Sequence, residues 1–154
     1  MHSVHEIARW FTAKNSGSIP SIKLQKLCYY AQAWSYALHN EPIIIGNFEA
    51  WVHGPVNREL WTRFRDIAYR DITIDDFSEN DIGVFTCCEN NLLDLVWNTY
   101  GEYSGYQLES LSHTERPWLE QRNGLSTYEA SNRVIDPNTM KSYYRNLYSQ
   151  DGVN

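Results

Sequence analysis

Apolar residues recur at helical spacing through most of the chain. Val4, Ile7, Ala8 and Phe11 predict a first helix over 3–14, and Ser3 with Glu6 three places on makes a capping-box pattern at its start. The run Asn15-Ser16-Gly17-Ser18 ends it as a turn. The clearest helix covers 21–39. Leu24, Leu27, Cys28, Ala31, Ser35 and Leu38 form one stripe, while Tyr30 and Trp34, four apart, share a second face. A helix apolar on two faces is either central to a fold or part of an interface.

After Asn40-Glu41-Pro42 the period shortens. Ile43–Ile45 and Phe48–His53 lie either side of Gly46-Asn47 and read as two short strands or a hairpin. Gly54 breaks the second strand, and Pro55 suits the first turn of a third helix. That helix is predicted over 55–69, with Val56, Leu60, Phe64, Ile67 and Ala68 inward and Arg58, Trp61 and Arg65 on another face. Residues 71–90 carry no clear period, so the next helix starts somewhere between 78 and 90. It runs through Leu92, Leu93 and Val96 to a cap at Gly101. Short helices follow over 104–112 and from Pro117 to Gln121, then an extended piece at Val134-Ile135. A last helix over 137–149 carries Met140, Tyr144 and Leu147 inward, and 150–154 reads as a frayed, disordered tail. The pattern predicts a mostly α fold: a single helical domain, 1–149, of five to seven helices with a small β-hairpin or short strands around 43–53.

Length agrees with one domain, since 154 residues bury a core without disulfides or metals. Three cysteines, two of them adjacent, form neither a disulfide framework nor a zinc pattern. The absence of a long apolar run and of a basic-then-apolar start predicts a cytoplasmic protein without a membrane span or signal peptide. Charge divides unevenly. Residues 1–77 hold eight Lys/Arg and eight Asp/Glu, while 78–154 hold five and eleven, so the net −6 lies in the second half. An acidic half repels phosphate backbones and favours basic partners, which argues against direct nucleic-acid binding. Aromatic residues reach 14%, with six Trp and eleven Tyr, and rings of this kind anchor protein interfaces when they are exposed.

Catalytic motifs are absent: there is no Gly-rich phosphate loop, no G-x-S-x-G elbow and no P-C-x-x-C deaminase pattern. His113 and Glu115 in one turn have the chemistry for acid–base work, or for capping and packing. His53 before Gly54-Pro55 has the same two readings. His2, His5 and Glu6 supply too few ligands for a metal site, and Cys28 lies in a core stripe, where packing explains it. No cofactor is implied. The residues alone favour a binding module over an enzyme.

Three segments in order sharpen this reading. They are Lys23-Leu24-Gln25-Lys26-Leu27-Cys28-Tyr29-Tyr30-Ala31-Gln32-Ala33-Trp34, then Phe48 to Val56 leading into Glu59-Leu60-Trp61, and then Leu92 to Trp97 with Tyr100-Gly101, Leu108–Leu111, His113-Thr114-Glu115 and Pro117-Trp118. Together they resemble the Panacea antitoxin domain family of SocA-like and GepA-like phage-associated proteins. Ser112-His113 departs from the family's frequent Thr-His, and the Cys87-Cys88 stretch from its usual acidic helix start. The resemblance implies an antitoxin that neutralises a cognate protein toxin, encoded by the adjacent gene, through direct contact. An alternative it also implies is a proteolytic adaptor or phage–host interaction protein that delivers or sequesters a partner, with a host protease as a further partner in the adaptor case. An enzyme using His113 and Glu115 is the third class. The partner-binding candidates are Tyr30, Trp34, Trp51, His53, Arg58, Trp61, Arg65, His113 and Glu115.

Overall fold

The second helix decides the architecture. The computed structural model describes residues 1–67 and 69–151. Among them are seven α-helices: α1 (Val4–Lys14), α2 (Ser21–His39), α3 (Arg58–Phe64), α4 (Cys87–Tyr100), α5 (Gly105–Ser112), α6 (Arg116–Gln121) and α7 (Pro137–Asp151). Four short strands make two antiparallel pairs: β1 (Ser18–Ile19) with β4 (Ile72–Thr73), and β2 (Glu49–Trp51) with β3 (Gly54–Val56). The helices α7, α5, α4 and α1 all pack on α2. The mostly α prediction holds, and the bounds of α2 are those expected. None of the described helices is long and apolar enough to cross a membrane.

Every residue of α2 from Lys23 to Ser35 is buried. A helix enclosed on all sides must satisfy its polar side chains internally, because each unpaired buried group costs about 1–3 kcal/mol. In α2 those side chains bind the backbone of the surrounding segments. Lys23 Nζ donates to Gly101 O (2.6 Å), at the end of α4. Gln25 Nε2 donates to Asn57 O (3.0 Å) and its Oε1 accepts from Asn57 N (2.9 Å). Lys26 Nζ donates to Pro55 O (3.1 Å) in β3. Gln32 Oε1 accepts from the amides of Ile43 and Ile44, and its Nε2 donates to Ile44 O. Ser35 Oγ closes the next turn on Glu41 O (2.6 Å).

These bonds explain where the expected strands moved. Residues 43–45 do not pair with 48–53, because Gln32 already holds their amides and Ile44 bridges to His2. The hairpin instead joins Glu49–Trp51 to Gly54–Val56 across Val52-His53, with register Glu49↔Val56 and Trp51↔Gly54. Gly54 sits at φ +104°, and a Cβ there would lie 2.8 Å from Lys26 Cε, so glycine is needed at this turn. Strand β3 takes Pro55 and Val56 out of the third helix. That helix begins at Arg58, with Asn57 as its cap accepting from Leu60 N (3.0 Å), and ends at Phe64 rather than 69. The expected inward position of Ala68 lies outside the described residues. The 71–90 stretch, which has no readable period, pairs as β4 and is then held by Asp76 and Asp81, each closing a short turn and binding Arg70 and Arg63 respectively. The helix α4 starts at Cys87, within the expected interval, under a Thr86/Glu89 capping box. The last helix reaches Asp151, so the part of the expected tail at 152–154 lies outside the described residues.

Aromatic rings fill the centre. Tyr30 stacks on Tyr100 (4.0 Å between centroids, 13°), and Tyr29, Tyr30 and Tyr144 meet edge to face. Trp34 Nε1 donates to Tyr100 Oη (2.9 Å). Glu115 is buried at the heart of this group, where its Oε1 accepts from Tyr30 Oη (2.7 Å) and Tyr144 Oη (2.8 Å). Burial pushes its carboxyl up to about 7, against the two hydroxyl donors that pull it down.

Two outcomes follow from this core. Gln32→Ala leaves three buried backbone groups unpaired and is expected to lower unfolding stability in urea by about 3 kcal/mol or more. Glu115 holds its proton more tightly in the folded chain, so its contribution is full at low pH and is lost as pH rises towards the folded value of about 7. Urea unfolding from about pH 5 to about pH 8 is therefore expected to show a stability loss some ~2–3 kcal/mol larger in the wild type than in Glu115→Gln. Parallel slopes would contradict the buried, proton-retaining carboxyl.

Candidate partner-binding site

The β2–β3 hairpin is the best-anchored irregular feature of the surface. From below, Lys26 and Gln25 hold Pro55 and Asn57. From the side, Trp118 Nε1 donates to Trp51 O (2.8 Å) and Arg122 Nη1 to Ala50 O (3.1 Å). From the far edge, Ala50 N donates to Arg133 O (2.9 Å) and Ile135 N to Phe48 O (2.8 Å). Arg122 also donates to the carbonyls of Ser126 and Glu129, so the loop after α6 is fixed by the same guanidinium. Side chains carried on such a platform keep their geometry when a partner arrives.

Two tryptophans stand on it. Trp51 and Trp61 meet edge to face at 5.2 Å. The Arg58 guanidinium lies over Trp51 (5.2 Å) and that of Arg65 over Trp61 (5.5 Å). Glu49 orients the first pair. Its Oε1 accepts from Trp51 Nε1 (2.8 Å) and Arg58 Nη2 (2.9 Å), and Arg58 Nε donates to Oε2 (3.3 Å). Burial raises the Glu49 carboxyl, but the Arg58 and Trp51 hydrogen bonds and the Arg58 charge together hold it below its ordinary range. Trp61 is 38% exposed, and Arg58, Arg65 and His53 are exposed with it. Clefts flank the pair: one of about 490 Å³ between Trp51, Arg58 and residues 130–132, the other of about 260 Å³ between the hairpin, α2 and α3. Trp51 lines both.

The structure thus brings together Trp51, His53, Arg58, Trp61 and Arg65 out of the nine candidates. It withdraws three others from the surface. Tyr30 and Glu115 are hydrogen-bonded to each other in the core, and Trp34 is only 7% exposed, bonded to Tyr100 and packed on Tyr144. These three support the fold, and as anchors reached directly by a partner they are corrected here. Their second helical face is covered by α4 and α7, the central rather than the interfacial alternative for α2.

His113 is half-buried, stacked on Trp118 (4.0 Å, 16°), and burial lowers its pKa. No hydrogen bond joins it to Glu115 among the described residues, because Glu115 turns inward to the tyrosines. The acid–base pair expected for an enzymatic reading is not assembled. His53 Nδ1 instead lies 3.3 Å from Glu109 Oε2. Below them Lys26 is buried, its ammonium pushed down to about 8 by desolvation and partly restored by Glu109. Cys28 is fully buried, and burial raises its thiol, in keeping with packing.

Sequence reasoning missed Glu49, Gln25 and Lys26 as members of the site. Glu49 had a signal, since Glu49 and Trp51 are two apart in a strand and share a face. Gln25 and Lys26 had none beyond their place in a long helix with two apolar faces.

Comparison with known proteins agrees with this architecture. The family described as "Antitoxin SocA-like, Panacea domain" matches residues 24–119, which run from α2 through the hairpin to α6. The chain is 31% identical to "Antitoxin SocA" of Caulobacter vibrioides over 118 residues, 71% of this chain and 63% of that protein. The match therefore spans less than two thirds of that relative. No solved structure matches. With the family match running through α2, the hairpin and α3, which carry the tryptophan pair, the chain belongs to the SocA-like antitoxin, Panacea domain family.

Proposed function

We propose that this chain is an antitoxin that neutralises a protein toxin, encoded by the adjacent gene, by direct contact in the cytoplasm. Its contact surface is centred on Trp51 and Trp61. The observation that carries this reading is the arginine-capped tryptophan pair on the anchored hairpin, with a cleft on either side. Trp and Arg are the residue types that dominate binding energy at protein interfaces, and a rigid platform keeps the ordering cost of association small. His53 sits at the edge of this surface and His113 beneath it.

Membership of an antitoxin family supports the role, and the fold supports the location. The residues that give the family its motif in α2 are occupied with the core. Gln25 and Lys26 of that motif hold Asn57 and Pro55, so the exposed side chains of the hairpin and α3 stand on segments that the motif positions. The acidic second half adds a long-range attraction for a basic toxin and speeds encounter.

The test is co-expression with the adjacent reading frame, reading growth, co-purification and the toxin's half-life together. The toxin is expected to persist as an inactive complex. Trp61→Ala is expected to weaken that complex by about 2 kcal/mol, roughly thirtyfold, with unchanged circular dichroism and melting. Trp34→Ala is expected to act differently, lowering stability by about 3–5 kcal/mol through a core cavity. Protection that survives Trp61→Ala and Arg58→Glu together would overturn this contact surface. Rescue accompanied by disappearance of the toxin would favour delivery to a protease over neutralisation.

A further inference from the structure

The cleft between α2, the hairpin and α3 has a chemistry of its own. Its walls are apolar, built from Trp51, Trp61, Leu60 and Phe64. Its charged and titratable lining consists of Lys26, His53 and Arg65, and none of its lining residues is Asp or Glu. Two carboxylates outside the lining lie beside these groups: Glu109 is 3.3 Å from His53 and acts on Lys26 through its charge, and the exposed Asp66 is 4.0 Å from the Arg65 Nε. Lys26 spends one of its three ammonium protons on Pro55 O. Such a cleft offers apolar walls and a lining that holds two cationic side chains and no carboxylate, inside a protein of net charge −6.

We infer that this cleft receives an acidic, aromatic-flanked segment of the protein partner, with a Glu or Asp carboxylate directed at Arg65 and Lys26 and a ring set against Trp61. This rests on the proposed contact surface and specifies what docks there. A volume of about 260 Å³ is at or below the small end of small-molecule pockets, about 300–1,000 Å³, and suits one or two side chains of a docked segment. A nucleic-acid strand is disfavoured because the chain as a whole carries a net charge of −6, which repels an extended phosphate backbone. The inference also separates two effects of charge. The acidic half of the chain attracts a basic partner from a distance, while the docking cleft selects a local acidic element on it.

The test uses the full chain and two blocked pentapeptides as probes. Both have phenylalanine or leucine at alternate positions, one with glutamate between them and the other with lysine. Heteronuclear NMR titration is expected to move the indole signals of Trp51 and Trp61 and the side-chain signal of Arg65 with the glutamate peptide. The apparent affinity for it is expected to be about tenfold or more above that for the lysine peptide. Arg65→Glu, at an exposed position, is expected to remove or invert this preference while leaving the melting temperature unchanged. Equal binding of the two peptides, shifts at another face, or a preference untouched by Arg65→Glu would overturn the inference. If a toxin complex is lost on Trp61→Ala yet the glutamate peptide shifts nothing, the contact surface stands and the acidic-segment inference fails. If the peptide binds in the cleft but the complex ignores Trp61→Ala, the cleft stands and the antitoxin surface fails.

Discussion

The burial of α2 on every side is the constraint from which the rest of the structure follows. An enclosed helix has no solvent to satisfy its polar groups, so Lys23, Gln25, Lys26, Gln32 and Ser35 bond outward to the main chain of the segments around it. Each bond removes an unsatisfied group from the helix and at the same time fixes a neighbour. Gln32 sets the path of 43–44, Lys23 ends α4, and Gln25 and Lys26 together set the hairpin edge and the start of α3. Tyr30, Trp34 and Glu115 play the same part deeper in, tying α2 to α4, α6 and α7 through hydroxyl, indole and carboxyl groups.

This arrangement separates the work of the motif residues from that of the exposed ones. The run from Lys23 to Trp34, which makes the family resemblance visible, is almost wholly structural. What faces outward is the set of side chains that the run positions: Trp51 and His53 on the hairpin, Arg58, Trp61 and Arg65 on α3. On this plan the fold and the contact surface are physically separable. The core bonds hold the platform constant, while Trp61, Arg58 and residues 130–132 can vary without disturbing it.

The extent to which this was legible in the sequence depended on periodicity. The bounds of α2 and the Ser3/Glu6 capping box could be read because apolar spacing and cap chemistry are local. The hairpin was misplaced by a few residues because Gly46-Asn47 is a good turn signal, whereas the deciding influence, Gln32 on the amides of 43–44, acts across eleven or twelve positions. The third helix was too long on paper because Pro55 suits both a first helical turn and the end of a strand pair. Tyr30 and Trp34 looked like surface candidates because a second apolar face has the same pattern whether another helix or a partner covers it, and Glu115 because a carboxylate in a turn beside His113 reads the same whether it faces solvent or the core. The pairing of β1 with β4, and Asp76 and Asp81 with Arg70 and Arg63, left no periodic trace at all.

In the proposed complex a partner meets the hairpin and α3 while α2 serves as the unmoving scaffold. Hydrogen exchange of the free chain against its toxin complex tests it most directly. New protection is expected over 51–54 and 58–65, with the amides of 24–35 already slow and unchanged on binding. Protection concentrated instead on α4 and α7, or a large change within α2, would contradict it.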